Sequence, residues 1–416
     1  MIPERVLYLS YFYPLEVVKS RGLPTRNIAA YNRTKRVVGA LASAGRSVHV
    51  VSPGICARCG FSPKLFHGSY RTIEGGIDVI AAPALVVPFI GATVDTLLFP
   101  LWTLLLIRRF RFDGAMIYNY SPSFVLVALL LRMLGIPFVA QIEDIAVPAR
   151  SDWRTAGETR PIQQLLLWLC MKMVVGMSTG FMVPSRRFQS FLPREKPCLI
   201  VPGCVGSAEL AEYHRARLRA PIRVLFVGRY EAEHGVDLLI ATLRLLRSQV
   251  SVAAHFTFDC CGTDNYPVEL RALSASGDNP TIRLHGLLSD HEYRDLLAET
   301  AVALVLQKGQ GRQAYLQSPS KTYEFLAAGK LVIATDVGDL ECLSGTQLIM
   351  LQKETAEEMV SILAEIVESP EKYEIIAQAA RDFSLRESSS EAVGEKLTAF
   401  LSSAFGDSSL RPRNLQ

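Results

Sequence analysis

Short apolar runs alternate with longer segments of helical periodicity through most of this chain, and that rhythm restricts its fold more than any other feature. Residues 5–10 read as a buried strand. Residues 30–44 follow as a helix with Val37, Val38 and Leu41 on its apolar face, Gly45 closes it, and residues 47–52 form the next strand. This strand–helix–strand spacing is that of a doubly wound α/β sheet, whose ligands collect beyond the carboxyl ends of the strands. The loop from 11 to 29, with Gly22, Thr25 and Asn27, therefore falls on the ligand side.

The alternation continues with strands at 115–118 and 138–142 around a helix at 124–134. Asn119, Tyr120 and Ser121 leave the first of these strands, and Glu143 and Asp144 leave the second. That acidic pair reads either as site chemistry or as loop solvation and capping. A helix at 162–175 and strands at 180–183 and 198–201 come next. The rhythm stops from 204 to 220 and restarts at Pro221, where a domain boundary is expected. After it come a strand at 223–227 left by Gly228 and Arg229, and a helix opening near Gly235 with Val236, Leu239, Ile240, Leu243 and Leu246 on one face. A strand at 255–260 ends at Cys261, Gly262, Thr263 and Asp264. A last helix is expected at 390–404 after a polar hinge, followed by a disordered tail. The expected organisation is a first α/β domain at 1–204, a second at 205–385 and a helix with tail at 386–416. Two such domains facing one another would hold a ligand in their cleft.

Residues 318–335, SPSKTYEFLAAGKLVIAT, are the most informative stretch. Ser318 suits an N-cap and Pro319 a first helical position, Gly329 a left-handed stop, and 331–335 a buried strand. Lys321 and Glu324 share one face at the start of that helix. A cation in the first turn opposes the helix dipole. A bound phosphate would resolve the conflict, taking N–H groups from the helix start and charge from Lys321; a solvated surface lysine is the plainer reading.

Composition narrows the partners. The 416 residues suit roughly two to three domains. The net charge of +4 fits anionic substrates or an anionic membrane surface, and is too weak and dispersed for nucleic acid. The N-terminus, with Glu4 and Arg5 before VLYLS, does not read as a signal peptide, and eight cysteines then suggest reduced thiols in the cytoplasm. Cys56 and Cys59 form one CxxC near His67; a structural zinc needs four ligands, and no metal site is assigned. The run 96–107, interrupted by Pro100 and followed by Arg108, Arg109 and Arg111, is too short to span a bilayer. It reads as a buried helix or as an interfacial one on the inner face of a membrane. Gly309, Gly311 and Ala314 mimic a dinucleotide fingerprint, but helix signals begin only at Ser318, so no nicotinamide cofactor is assigned.

Three segments carry a family resemblance. RVLFVGRYEAEHGVDLLIATLRLL (223–246) resembles the opening of the C-terminal domain in retaining glycosyltransferases of family 4, which have the GT-B fold. SPSKTYEFLAAGKLVIATDVGDLECL looks like that family's donor-binding motif, and TIRLHGLLSDHEYRDLLAETAVALVLQ between them is similar to its intervening segment. The resemblance implies two Rossmann-like domains facing a cleft, with the C-terminal helix crossing back to the first. It implies a nucleotide diphosphate sugar as donor substrate, with no further cofactor, and a hydroxyl acceptor. Gly228, Arg229 and Lys321 would lie at the donor diphosphate, Glu324 at the ribose, and Gly262 and Thr263 under the nucleotide. His234 stands where the family usually has Lys, and Leu316 where many members have a first Glu.

The expected function is sugar transfer to a hydroxyl with retention, in cell-surface polysaccharide or glycolipid assembly. Arg229 and Lys321 would stabilise the leaving group, and Glu143 or Asp144 would handle the acceptor hydroxyl. A lipid-linked acceptor would suit the basic, apolar 96–111 region. The alternatives are a non-catalytic scaffold or partner subunit, and a sugar-nucleotide epimerase on the same fold.

Overall fold

The computed structural model describes residues 4–23, 28–56, 65–74, 76–87, 90–145, 161–206, 218–308, 316 and 318–406. Gly309, Gly311, Ala314, Thr25, Asn27, Cys59 and the tail beyond 406 lie outside the described residues. Two compact units emerge, one of residues 1–184, 189–201 and 390–416, the other of 185–188 and 202–389.

The first unit is built on β1 (Arg5–Leu9), α1 (Leu15–Ser20), α2 (Ile28–Ser43), β2 (Ser47–Ser52), β3 (Phe66–His67), β4 (Tyr70–Glu74), β5 (Ile77–Ala81) and β6 (Ala84–Leu85). It continues with α3 (Gly91–Phe110), β7 (Gly114–Tyr118), α4 (Pro122–Met133), β8 (Phe138–Gln141), α5 (Pro161–Met177), β9 (Gly180–Val183) and β10 (Cys198–Ile200); the short α6 (Arg186–Gln189) between the last two falls mainly in the second unit. Its main sheet runs β10-β9-β8-β7-β1-β2-β5-β4. All neighbours are parallel except β4 and β5 at one edge. Central strands β1, β7, β8 and β9 are buried at almost every residue, as parallel strands covered on both faces must be. Winding reverses between β1 and β7, so Ser10 and Asn119 leave the sheet on either side of the switch point.

The second unit follows the same logic with β11 (Ile222–Gly228), α7 (Val236–Ser248), α8 (Val250–Ala253), β12 (Phe256–Gly262), α9 (Val268–Ala275), β13 (Thr281–Gly286), α10 (Asp290–Glu299) and β14 (Val302–Val305). Next come α11 (Ser320–Ala327), β15 (Leu331–Ala334), β16 (Ile349–Met350), α12 (Ala356–Glu368) and α13 (Pro370–Glu387). The sheet, β13-β12-β11-β14-β15-β16, is parallel throughout. Its switch point lies between β11 and β14. Leu239, Leu243 and Leu246 of α7 pack into the core with Phe256, Phe258 and Leu363, as the heptad-like spacing of α7 predicts.

Four expectations are corrected. The helix after Ser318 begins later: Pro319 is the N-cap without a side-chain bond, and the Ser318 hydroxyl donates instead to the Pro202 carbonyl at 3.3 Å. Pro100 does not interrupt α3, which runs 20 residues through it; packing against α4 holds the turn that proline alone would weaken. The supposed polar hinge before residue 390 is α13, separated from the final helix α14 (Ser390–Gly406) by Ser388 and Ser389 only. Residues 185–188, read as part of the first domain, join the second unit. Asp339 accepts the backbone N–H groups of Arg186 and Arg187, and the Arg187 guanidinium meets Asp336 at 3.1 Å and Glu341 at 2.9 Å.

α14 belongs to the first unit and packs on α2. The helices touch so closely that a Cβ on Gly394 would lie 2.1 Å from the Ala40 carbonyl oxygen. Gly39, one residue away on α2, faces open space. Gly394→Ala is expected to lower stability by about 1–3 kcal/mol through overpacking. Gly39→Ala should raise it by up to ~1 kcal/mol through helix propensity. Opposite shifts of Tm for the two variants check this; shifts of the same sign would refute the close approach.

Candidate functional site

The second unit gathers its candidate residues at the carboxyl edge of its sheet. Gly228 ends β11 and Gly262 ends β12, side by side in register. The Thr263 N–H donates to the Gly228 carbonyl at 3.3 Å. At Gly262 φ is +132°, and a Cβ there would lie 2.0 Å from that carbonyl oxygen, so the two strand exits can sit this close only because Gly262 has no side chain; a Cβ on Gly228 would meet nothing within 4 Å. Arg229, exposed, follows Gly228, and the next turn ends at His234 and Gly235. A Cβ on Gly235 would lie 1.8 Å from the Leu306 carbonyl oxygen, which pins this turn against the chain leaving β14.

α11 starts at the same edge, because it crosses from β14 to β15. Lys321 is the second residue of the helix, so its amine is carried at the end where the helix N–H groups are unsatisfied. The far end closes as the sequence predicts. Gly329 adopts φ +67°, its N–H donates to the Leu326 carbonyl at 2.9 Å, and the Lys330 N–H donates to the Phe325 carbonyl at 3.0 Å. These bonds fix the length of α11 and hence the depth of Lys321.

Burial holds the Lys321 amine below the usual lysine range, against the opposing pull of Cys261 and Glu324. The Cys261 thiol is pushed up to about 11 by burial, with the Lys321 charge acting the other way. Glu324 is buried one turn further along. His234 is held below its ordinary value by burial first; Glu231 and Glu233 pull it up, while Arg229 and Lys321 push it down. Arg229, His234 and Lys321 therefore share one electrostatic neighbourhood. Among the described residues, Arg229 and Lys321 form no ion pair, and His234 comes only within 4.0 Å of the Glu231 carboxylate. Cations beside two glycine exits and a helix start are chemistry suited to a compact multivalent anion.

Leu316 is buried, and its carbonyl accepts the Ser185 hydroxyl at 3.1 Å. Among the described residues no cluster of His, Cys, Asp and Glu has the makings of a metal site.

Glu143 and Asp144 lie in the first unit, beyond β8, and the structure gives them different environments. Glu143 Oε1 accepts from Arg33 Nε at 2.8 Å and from Gln141 Nε2 at 2.6 Å. Asn119, in the left-handed region at φ +57°, accepts the Glu143 N–H at 2.7 Å and donates from Nδ2 to Asp144 at 3.1 Å. Burial, and then the Glu143 charge, raise the Asp144 carboxyl above its ordinary value. Arg33 and Gln141, which tie up Glu143, escaped sequence reading. One of two arginines in an amphipathic helix and a glutamine ending an apolar strand were the only signals.

Residues 221–369 match the family model described as glycosyl transferases group 1. No curated protein sequence matches the chain. Among solved structures, sucrose-phosphate synthase from Thermosynechococcus elongatus is similar with TM-score 0.65 at 14% identity, covering 97% of this chain and 99% of that one. HepE from Anabaena, in complex with UDP-glucose, is similar with TM-score 0.57 at 14% identity, covering 96% and 99%. A putative UDP-N-acetylglucosamine 2-epimerase from Listeria monocytogenes is similar with TM-score 0.57 at 12% identity, covering 99% of each chain. The fold is that of GT-B glycosyltransferases, and the matched domain supports glycosyl transfer.

The charge cluster makes a direct prediction. By NMR titration His234 should lose its proton below the ordinary histidine value, and Arg229→Ala should raise that midpoint by removing a repelling charge. Glu231→Gln should lower it. An unchanged midpoint in both variants would dissolve the cluster.

Proposed function

We propose that this chain is a retaining glycosyltransferase of the family 4 type, moving a sugar from a nucleotide diphosphate sugar to a hydroxyl acceptor. The observation that carries the reading is the convergence of Lys321, Arg229 and His234 on the glycine exits of β11 and β12, with no carboxylate ion-paired to Lys321 or Arg229 among the described residues. Departure of a nucleoside diphosphate builds negative charge on the leaving phosphate. Cations and helix N–H groups already aimed at that charge stabilise the transition state without reorganising. Arg229 offers a forked donor pair to phosphate oxygens, and Lys321 offers a charge in the helix's first turn. Glu324 accepts from the nucleotide ribose, and Gly228, Gly262 and Thr263 bring backbone close to the nucleotide.

Retention requires no protein nucleophile if the acceptor attacks from the face the diphosphate leaves. Asp144 is the better candidate to orient the acceptor hydroxyl, because Glu143 is already spent on Arg33 and Gln141. The structural neighbours that bind UDP or UDP-glucose support a uridine nucleotide as the first donor base to try. We place the activity in cytoplasmic assembly of a cell-surface polysaccharide or glycolipid.

Two measurements test this. A nucleotide diphosphate or its sugar should raise the Tm by mass action. Because a bound diphosphate stabilises protonated His234, that binding should strengthen as pH falls from 8 towards 6, roughly following protonation of one histidine, and His234→Lys should flatten the profile. Lys321→Ala should lower transfer by roughly 100- to 1,000-fold while leaving the fold intact. Turnover within a few-fold of wild type would overturn the diphosphate role. Ligand binding with neither transfer nor hydrolysis would favour the scaffold reading, and epimerisation of the donor without an acceptor would favour an epimerase.

A further inference from the structure

One side of the first unit ends in an apolar face that the rest of the unit leaves open. The connections from β5 to β7, β7 to β8 and β8 to β9 all advance in one direction across the sheet, so right-handed crossovers set α3, α4 and α5 side by side. Their inner sides supply Phe99, Phe124, Leu131 and Val174 to the core. Their outer sides are also apolar. On α3, Leu97, Leu101 and Leu105 succeed one another turn by turn and are 59%, 58% and 58% exposed. Leu166 and Leu169 on α5 are nearly half exposed, and Met133 stands out from α4 at 80%. Contiguous apolar surface of this kind marks a place where something binds.

Charge identifies the occupant. α4 and α5 contain no acidic residue, and the single acid of α3, Asp95, is buried and accepts the Leu85 N–H at 2.9 Å. The exposed charges of the layer, Arg108, Arg109, Arg132 and Lys172, are all positive. The three helices run in the same sense, so Arg108, Arg109 and Arg132 lie in the last turns at their shared carboxyl end, where Arg111 caps α3, while Lys172 lies more than one turn before the end of α5. Lys196 donates there to the carbonyls of Val175, Gly176 and Ser178 at 2.8, 2.7 and 2.8 Å. α3 has the length and composition to cross a membrane, yet its inner side is buried within the layer, so it lies along the unit. On the three helices themselves a second copy would bring no acid to meet the cations; the exposed acids Asp113, after α3, and Glu195, beside Lys196, lie outside them, and Asp113 already accepts the Glu4 and Arg5 N–H groups. A sheet of lipid phosphates above acyl chains complements both halves of the pattern.

We propose that the α3–α4–α5 face docks on an anionic lipid bilayer, with the leucines and Met133 among acyl chains and the arginines and Lys172 on headgroup phosphates. The proposal rests on the first unit alone and is independent of the donor-site reading.

The test sediments the full chain with vesicles of phosphatidylcholine alone, and of two parts phosphatidylcholine to one part phosphatidylglycerol. Binding to the mixed vesicles is expected, at least ~10-fold tighter than to the neutral ones and weakened by salt. Arg108→Gln, Arg109→Gln and Arg132→Gln should each weaken it about fivefold. Leu101→Glu with Leu166→Glu should abolish it, with circular dichroism and Tm confirming that the variant is folded. No binding by the wild type to mixed vesicles, or full binding by the folded double glutamate variant, would overturn the proposal. So would a wild-type dimer that ignores vesicles and is split by the glutamates, which would make the face a self-interface.

Discussion

Parallel strand pairing is the constraint from which the rest follows. Two parallel neighbours cannot be joined by a hairpin, so each strand must be followed by a crossover that returns the chain to its starting edge. In both units that crossover is mostly a helix, and every strand of the two main sheets except the antiparallel edge strand β4 therefore delivers its exit to the same edge. Gly228, Gly262 and the start of α11 come from sequence positions far apart and still meet on one rim. Where the winding reverses, two exits diverge and leave an opening, and Gly228 and Arg229 flank that opening in the second unit.

Electrostatics on that rim runs against local preference. A lysine at the second position of a helix faces the positive end of the dipole; Lys321 is half-buried there, and its charge and that of Arg229 both act on His234. Like charges brought together raise the free energy of the empty site. An anionic ligand that removes the repulsion gains affinity by the same amount. The first unit carries the opposite arrangement, an acidic pair at a strand exit. There Arg33 and Gln141 occupy Glu143, and Asn119 holds Asp144.

Much of this was legible in the residues. Apolar runs and helical faces marked most strands and helices, since burial on both sides of a parallel sheet leaves continuous hydrophobic runs. Gly329 and β15 followed from capping and strand signals. The start of α11 was misread because Ser318 turns its hydroxyl to the Pro202 carbonyl, a partner 116 residues away. α13 was missed because its face is mixed: Tyr373, Ala377 and Ala380 are buried on it while Ile375 is exposed, so no clean period stands out. Pro100 was read as a break because proline's local cost is visible in sequence and the packing of α3 on α4 is not.

The residues alone were enough for the α/β class, the glycine exits and the anomalous cation, because each depends on local spacing or on one residue's backbone chemistry. They could not say which side chains share a field, which carboxylate is already engaged, or that three apolar helices leave one outer face uncovered. Those properties arise between segments distant in the chain, where winding direction and register choose the neighbours.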